Sequence, residues 1–343
     1  MRVGLVLGAG GVVGQAYHAG VLAALEHDHG FDPRTVEVIV GTSAGSITGT
    51  LLRLGVSAAD LAAWTVKAPL SGQDTLAQQL AATPIPDLAP FRLMQAFRRP
   101  PQLPGWHMIR RAVQRPWQFR PLAAGLALLA PGQHDIAEQL AALRDLEDAD
   151  WPERDLWICT VRRRDGRRVV LGRPGAPQAP VHLAVAASCA VPGYFKPVEI
   201  GDRSYVDGGA HSPTNAAILS GAGLDLVIVV SPMSGPPGSR PDLYAASRRH
   251  AKRLLRREVR ALHAAGTRTL IFEPGRSEQQ VMGDDLMCAH RLTEVIQQSF
   301  LAAGAKAAAP QIRDVMRSAA ASPHEWPERS RRPGSPAGPR PIR

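Results

Sequence analysis

Cysteine is scarce in this chain: Cys159, Cys189 and Cys288 are the three among 343 residues. They lie far apart, so no disulfide framework and no CxxC metal pair is suggested, and a reducing compartment is expected. Aromatic residues make up 5% of the chain. Alanine and leucine dominate a hydrophobic fraction of 45%, which suits a helix-rich, layered core in one large α/β domain or two ordinary ones. Long apolar runs are missing too. The longest, Leu122–Ala130, falls well short of the roughly 20 residues that a membrane-spanning helix needs. The N-terminal MRVGLVLGAGG enters a strand-like segment at once and lacks the cationic-then-apolar pattern of a leader. A cytoplasmic protein, at most peripheral to a membrane, is expected.

Acid is outnumbered: 30 Asp and Glu face 40 Lys and Arg, a formal charge of +10. Such a balance concerns partners and solubility rather than fold. Anionic lipid, nucleic acid and a plain compositional preference for arginine all fit it. No internal repeat is present.

What the chain does contain is a strand–helix alternation. Arg2–Leu7 reads as a short buried strand, Gln15–His27 as a helix, Val36–Val40 (VEVIV) as a β-branched strand and Ser46–Leu54 as a second helix. This is the pattern of a parallel sheet covered by helices. Residues 68–133 break the rhythm with many prolines, Trp106 and Trp117, and read as an irregular insertion or cap. Trp157–Arg162 and Arg168–Leu171 flank an Asp165-Gly166 turn as a hairpin. Leu183–Ala190 reads as a small-residue helix, Tyr205–Val206 as a strand end, and Leu224–Val230 and Thr269–Phe272 as later strands. Leu301–Ser318 is expected to be helical with a break at Pro310. The Pro/Arg-rich tail, 322–343, is expected to be disordered.

Three stretches carry chemistry. The first is VGTSAGSITG, where Ser43 stands between Gly41 and Gly45. A serine on a sharp strand-to-helix turn has strained backbone angles and close neighbours, so glycine is required on both sides. The hydroxyl then stands at the carboxyl edge of a sheet, near a helix N-terminus that favours negative charge. The same pattern also fits a tight turn packed for structural reasons. The second is GAGGVVG, Gly8 to Gly14. It can be read as a dinucleotide loop or as an oxyanion hole made of backbone N–H groups. Valine at position 13 breaks the GxGxxG spacing, and VEVIV ends in Gly41-Thr42-Ser43 rather than in an acidic ribose ligand. The oxyanion reading is therefore favoured. The third is Tyr205-Val206-Asp207-Gly208-Gly209. A carboxylate at a strand end, followed by two small residues, can take a proton from a serine if the geometry allows. Alone, such a stretch is usually just a turn.

In this order and spacing the three stretches resemble the patatin-like phospholipase family, as does the run AASCAVPGYFKPVEI (Ala186–Ile200) with GDRSYVDGG after it. The resemblance covers Val3–Leu54 and Leu156–Val230 well, and the rest to about Ala309 loosely. It implies a three-layer α/β/α fold with a mainly parallel central sheet, in a hydrolase domain spanning 1–310. It also implies hydrolysis of acyl esters in lipids by a Ser–Asp dyad. Ser43 would be the nucleophile, Asp207 the base, and the amides around Gly10, Gly11 and Val12 the oxyanion hole. Gly8, Gly14, Gly41, Gly45, Gly208 and Gly209 would support these motifs. Cofactor, metal and nucleic acid are not expected. A lipid ester is the expected substrate, and peripheral contact with an anionic membrane is left open. One departure is plain: the family usually carries arginine or lysine where Val13 stands, which bears on substrate preference and on the oxyanion donors. Two other readings remain, a non-catalytic lipid-binding or regulatory protein of the same fold and a nucleotide-binding protein.

Other residues weigh less. His211 lies four residues after Asp207, too close for the usual Ser–Asp–His order, in which histidine comes from a separate loop. His18 is expected to pack on the first helix. Ser247–Leu262 forms a basic amphipathic helix with seven Lys/Arg between positions 248 and 260. Its apolar face (Ala251, Leu254, Leu255, Val259, Leu262) suits packing on the sheet better than lying on lipid.

Overall fold

The first strand, β1 (Val3–Leu7), is buried at all five positions, as are β2 (Val38–Thr42) and β7 (Leu226–Val230). Continuous burial is what a strand covered on both faces requires. Alternate residues divide between two cores. Leu5, Leu7, Ile39, Leu226 and Ile228 join one, and Val6, Val38, Val40, Val227 and Val229 the other. The computed structural model of the chain describes residues 1–71, 75–82, 99–140, 142–145, 151–236 and 243–321.

Between β1 and β2 runs α1 (Gly11–His29). The chain continues through α2 (Ala44–Leu54), α3 (Ala58–Thr65), α4 (Thr75–Ala82), α5 (Trp106–Gln114), α6 (Pro121–Ala127), α7 (Ile136–Gln139) and α8 (Ala142–Asp145). Then come β3 (Asp155–Arg162), β4 (Arg167–Leu171), α9 (Val181–Cys189), β5 (Val198–Ile200) and β6 (Arg203–Asp207) ahead of β7. The C-terminal part holds α10 (Leu243–Ala264), β8 (Arg268–Phe272), α11 (Arg276–Met282), α12 (Leu292–Ala307) and α13 (Pro310–Ala320). The eight strands form one sheet ordered β5-β6-β3-β2-β1-β7-β8, with β4 paired off β3. Pairings from β3 through β2, β1 and β7 to β8 are parallel, whereas those of β3 with β4 and β6, and of β5 with β6, are antiparallel. The sheet is thus mixed and mainly parallel. Residues of α1, α2, α3, α9, α12 and α13 pack on one face, while Leu255 and Leu262 of α10 pack on the other. This is the three-layer α/β/α arrangement.

β3 serves three partners, and this places the site. One edge carries β4 from Ile158 to Arg162. The other carries β2 as far as the Thr42–Cys159 pair, and then β6 from the Asp207–Thr160 pair onward. Because β2 runs parallel to β3 and β6 antiparallel, the C-terminal ends of β2 and β6 arrive at adjacent positions of one edge. Sequence separation between Thr42 and Asp207 is erased there.

Several element boundaries differ from the sequence reading. β2 runs on to Thr42 and α2 starts at Ala44, so Ser43 is the single residue between them. Helix α1 starts at Gly11, within the glycine loop, because its cap is a backbone turn at Gly10 with no side-chain signal. The 68–133 segment is not irregular throughout: α4, α5 and α6 lie in it, while 72–74 and 83–98 fall outside the described residues. The last helical stretch begins at Leu292 and is two helices, with Pro310 opening the second. Proline suits that first helical position because its missing N–H has no partner to lose. The 322–343 tail lies outside the described residues. No helix among the described residues is long and apolar enough to cross a membrane.

Candidate functional site

Ser43 has φ 54° and ψ −123°, a backbone that a non-glycine residue rarely adopts. Such strain costs on the order of 1–3 kcal/mol and persists only where surroundings enforce it. Two glycines permit it. A Cβ on Gly41 would stand 2.6 Å from Ser46 Cα, and one on Gly45 would stand 2.0 Å from the Leu7 carbonyl oxygen at the end of β1. The turn is therefore pressed against both its own helix and the neighbouring strand. Three hydrogen bonds lock it. The Ser43 N–H donates to Ser188 Oγ at 2.9 Å, Ser188 Oγ donates to the Cys159 carbonyl at 2.7 Å, and Ser46 Oγ donates to the Ser43 carbonyl at 2.7 Å.

Asp207 ends β6 and is 5% exposed; Ser43 is 7% exposed. Burial pushes the Asp207 carboxyl up to about 6, against the opposing pull of the Gly209 N–H hydrogen-bonded to it and of the nearby Ser43 hydroxyl. The Gly209 N–H donates to Asp207 Oδ1 at 2.7 Å. The backbone N–H of Asp207 itself donates to the Ala190 carbonyl at 2.9 Å. Close approach explains the glycine after it: a Cβ on Gly208 would meet the Cys159 carbonyl at 2.2 Å. Serine and aspartate are thus brought together as a hydroxyl beside a desolvated carboxylate.

The glycine loop follows β1, whose end pairs with Gly41. Its Gly8 N–H donates to the Val230 carbonyl, Ala9 to Pro213, Val13 to Leu286 and Gly14 to Gly10. The N–H groups of Gly10, Gly11 and Val12 have no hydrogen-bond partner among the described residues. Gly11 has φ +61° and opens α1, so these amides also carry the positive end of a 19-residue helix. The Val13 side chain is buried in the core, which accounts for an apolar residue at that position.

The histidines stand apart from this chemistry. The His211 Nδ1 is buried without a hydrogen-bond partner among the described residues, and burial, with help from nearby arginines, pushes its imidazole down to about 3. No hydrogen bond between it and Asp207 occurs among the described residues. His18 is fully buried, with Nδ1 3.3 Å from Thr48 Oγ1, and burial lowers it to about 3. Cys189 Sγ lies 3.8 Å from Ser46 Oγ, and burial raises its thiol far above the ordinary value. Among the described residues, no three His, Cys, Asp or Glu side chains could hold a metal ion.

Two supporting residues escape a sequence reading. Ser188 lies in the AASCAVPG run, but nothing local says that its hydroxyl holds the Ser43 amide. Asn215 has φ 53°, a left-handed backbone that asparagine tolerates. Its Nδ2 donates to the Ser212 carbonyl at 2.6 Å, to Thr42 Oγ1 at 3.2 Å and to the Gly208 carbonyl at 3.4 Å. One amide thereby ties the residue before Ser43 to the residue after Asp207.

Comparison with curated proteins gives no match. Among solved structures, the chain is similar to "Crystal structure of VipD from Legionella pneumophila", with 13% identity and a TM-score of 0.35. That similarity covers 87% of this chain and 66% of the VipD chain, just under two thirds of its length. The model of the patatin-like phospholipase family matches residues 5–220, more than half of the chain and a span that includes the glycine loop, Ser43 and Asp207. The chain belongs to the patatin-like phospholipase family.

Proposed function

We propose that the protein is a serine lipid acyl hydrolase working through a Ser43–Asp207 dyad. Family membership implies lipid acyl hydrolysis. The observation that carries the assignment of residues is the meeting of β2 and β6 on one edge of β3, which sets a strained serine against a desolvated carboxylate. Ser43 Oγ attacks the ester carbonyl while Asp207 accepts its proton. An aspartate raised to about 6 is a stronger base than an exposed one and is still ionised at neutral pH. The unpartnered amides of Gly10, Gly11 and Val12 receive the developing oxyanion, each well-aimed donor contributing roughly 3 kcal/mol. The Ser43 amide is already committed to Ser188 and serves the elbow instead. Asp207 then returns the proton to the leaving alcohol, an acyl group remains on Ser43, and water repeats the sequence to release the fatty acid.

The test is covalent labelling followed by a lipid panel. A fluorophosphonate should modify Ser43 alone, as read by peptide mass spectrometry. Ser43→Ala should lose both the adduct and the release of fatty acid from phospholipid vesicles, with the melting temperature kept. An adduct on another residue, or hydrolysis that survives in Ser43→Ala, would refute the assignment.

A further inference from the structure

One large cavity lies away from Ser43. About 1270 Å³ in volume, it runs along β4, whose other edge pairs with β3, and is bordered by α10, the β5–β6 turn and the α5–α6 segment. Eight of its lining side chains are arginines. Three acidic groups lie in or beside it, and each is already engaged. Asp202 pairs with Arg203 at 3.3 Å, Asp165 holds Arg162 through two hydrogen bonds of 3.0 and 2.6 Å, and Glu258 accepts from the Thr214 hydroxyl and the Ala216 amide.

Of the remaining arginines, Arg111 also lies within electrostatic reach of Asp165. Arg168 donates to Asn215 and feels the buried Glu258 carboxylate, and Arg173 lies over the Trp157 ring. The exposed side chains of Arg120, Arg167 and Arg257, from three different elements, have no acidic partner among the described residues. An edge strand blunted by charge explains Arg167 and Arg168 alone. It does not explain guanidinium groups converging on the same space from α10 and the α5–α6 segment. Like charges gathered in a concave site focus a positive potential, and a bound anion relieves their repulsion. The lowered imidazole of His211, on the cavity wall, agrees with such a field, although burial is its first cause.

We propose that this cavity is a binding site for an anion carrying two or more phosphate groups, held by Arg167, Arg168, Arg257 and Arg120. Guanidinium groups match phosphate oxygens in bidentate pairs, and several in one site favour clustered phosphates over a single carboxylate. The surroundings favour a lipid headgroup as its source. Trp117, on the cavity wall, is 78% exposed, and Trp106, Ile109 and Val113 line the solvent side of α5 at positions i, i+3 and i+7. Met108, on the opposite side of α5, is buried. Large apolar side chains facing water beside arginines suit the interface of an anionic membrane.

The full chain is titrated calorimetrically with inorganic tripolyphosphate. One saturable site is expected, weakened at least tenfold in an Arg167→Ser/Arg257→Ser variant. An Arg253→Ser/Arg260→Ser variant, which removes the same charge from α10 outside the cavity lining, should bind as the parent does. Absence of saturable binding, or equal weakening in both variants, overturns the site. Vesicles of phosphatidylcholine with cardiolipin, a lipid carrying two phosphates, identify the source. Sedimentation with these vesicles that tripolyphosphate competes away, and that the Arg167/Arg257 variant loses, supports a headgroup. Tripolyphosphate binding without vesicle binding assigns the site to a free anion. Vesicle binding that survives both the competitor and the cavity variant overturns the headgroup assignment.

Discussion

The corner that holds Ser43 and the cavity along β4 are built on opposite terms. At the corner, backbones touch: Gly45 and Gly208 sit where any Cβ would lie about 2 Å from a carbonyl oxygen, and the only charge is one buried carboxylate. Along β4, the wall is open and is made of long cationic side chains from elements distant in sequence. Contact geometry governs the first region and electrostatics the second. A single methyl group should therefore damage the corner badly, while the loss of a whole side chain from the cavity should leave the fold intact.

The largest effect that would break this contrast is on turnover. Asp207→Asn should lower kcat/KM about as far as removing Ser43 does, by at least about a thousandfold, because groups acting as one unit are not additive. Turnover by the native chain should rise through pH 6, as the carboxylate proposed to accept the proton forms. The same substitution should act oppositely on stability. The folded-state pKa of about 6 lies above the unfolded value of about 3.9, so burial of the charge costs stability above pH 6 and not below pH 4. Asp207→Asn should thus be more stable than the native chain at pH 8, by about 3 kcal/mol, with no difference at pH 4. Denaturant titration at the two pH values checks it, and a variant less stable at pH 8 would contradict the desolvated carboxylate.

Gly45→Ala comes next. The new Cβ would press on the Leu7 carbonyl, which cannot move without shifting β1, so a loss of about 3 kcal/mol or more is expected, together with activity. If thermal unfolding is unchanged, the elbow is looser than described. Ser188→Ala is smaller. It leaves the buried Ser43 amide and the Cys159 carbonyl unpaired, at a cost of about 1–3 kcal/mol, and should lower kcat more than it raises KM because the proposed nucleophile loses its anchor. Chemical denaturation and steady-state kinetics would separate the two effects. His211→Ala should change least, keeping turnover on a soluble ester within about threefold. Collapse of activity in the folded variant would make His211 the base instead.

Legibility in the sequence followed the same division. The strand–turn–helix around Ser43 was readable because close packing leaves a local mark: glycine is the residue that fits. The glycine loop was readable for the same reason, although its start of α1 was placed too late, since a backbone cap at Gly10 has no side-chain signature. Ser188 and Asn215 were not readable, because a hydroxyl or amide that reaches across more than a hundred residues looks like any other polar residue. The helices within 68–133 were obscured by proline. The basic stripe of Ser247–Leu262 was recognised as amphipathic, yet only packing shows that Leu255 and Leu262 enter the core.

By itself, then, the sequence determined the motifs that sterics enforce locally: the elbow at Gly41–Gly45, the glycine-rich turn after β1 and the Asp-Gly-Gly strand end. Tertiary structure alone decided their meeting. The pairing of β2 and β6 with successive residues of β3 brings Thr42 and Asp207 to neighbouring positions, and strand register is a property of the whole sheet. Tertiary structure also decided that arginines from five separate strands and helices share one cavity, because a charge in sequence carries no record of what it will face once the chain has folded.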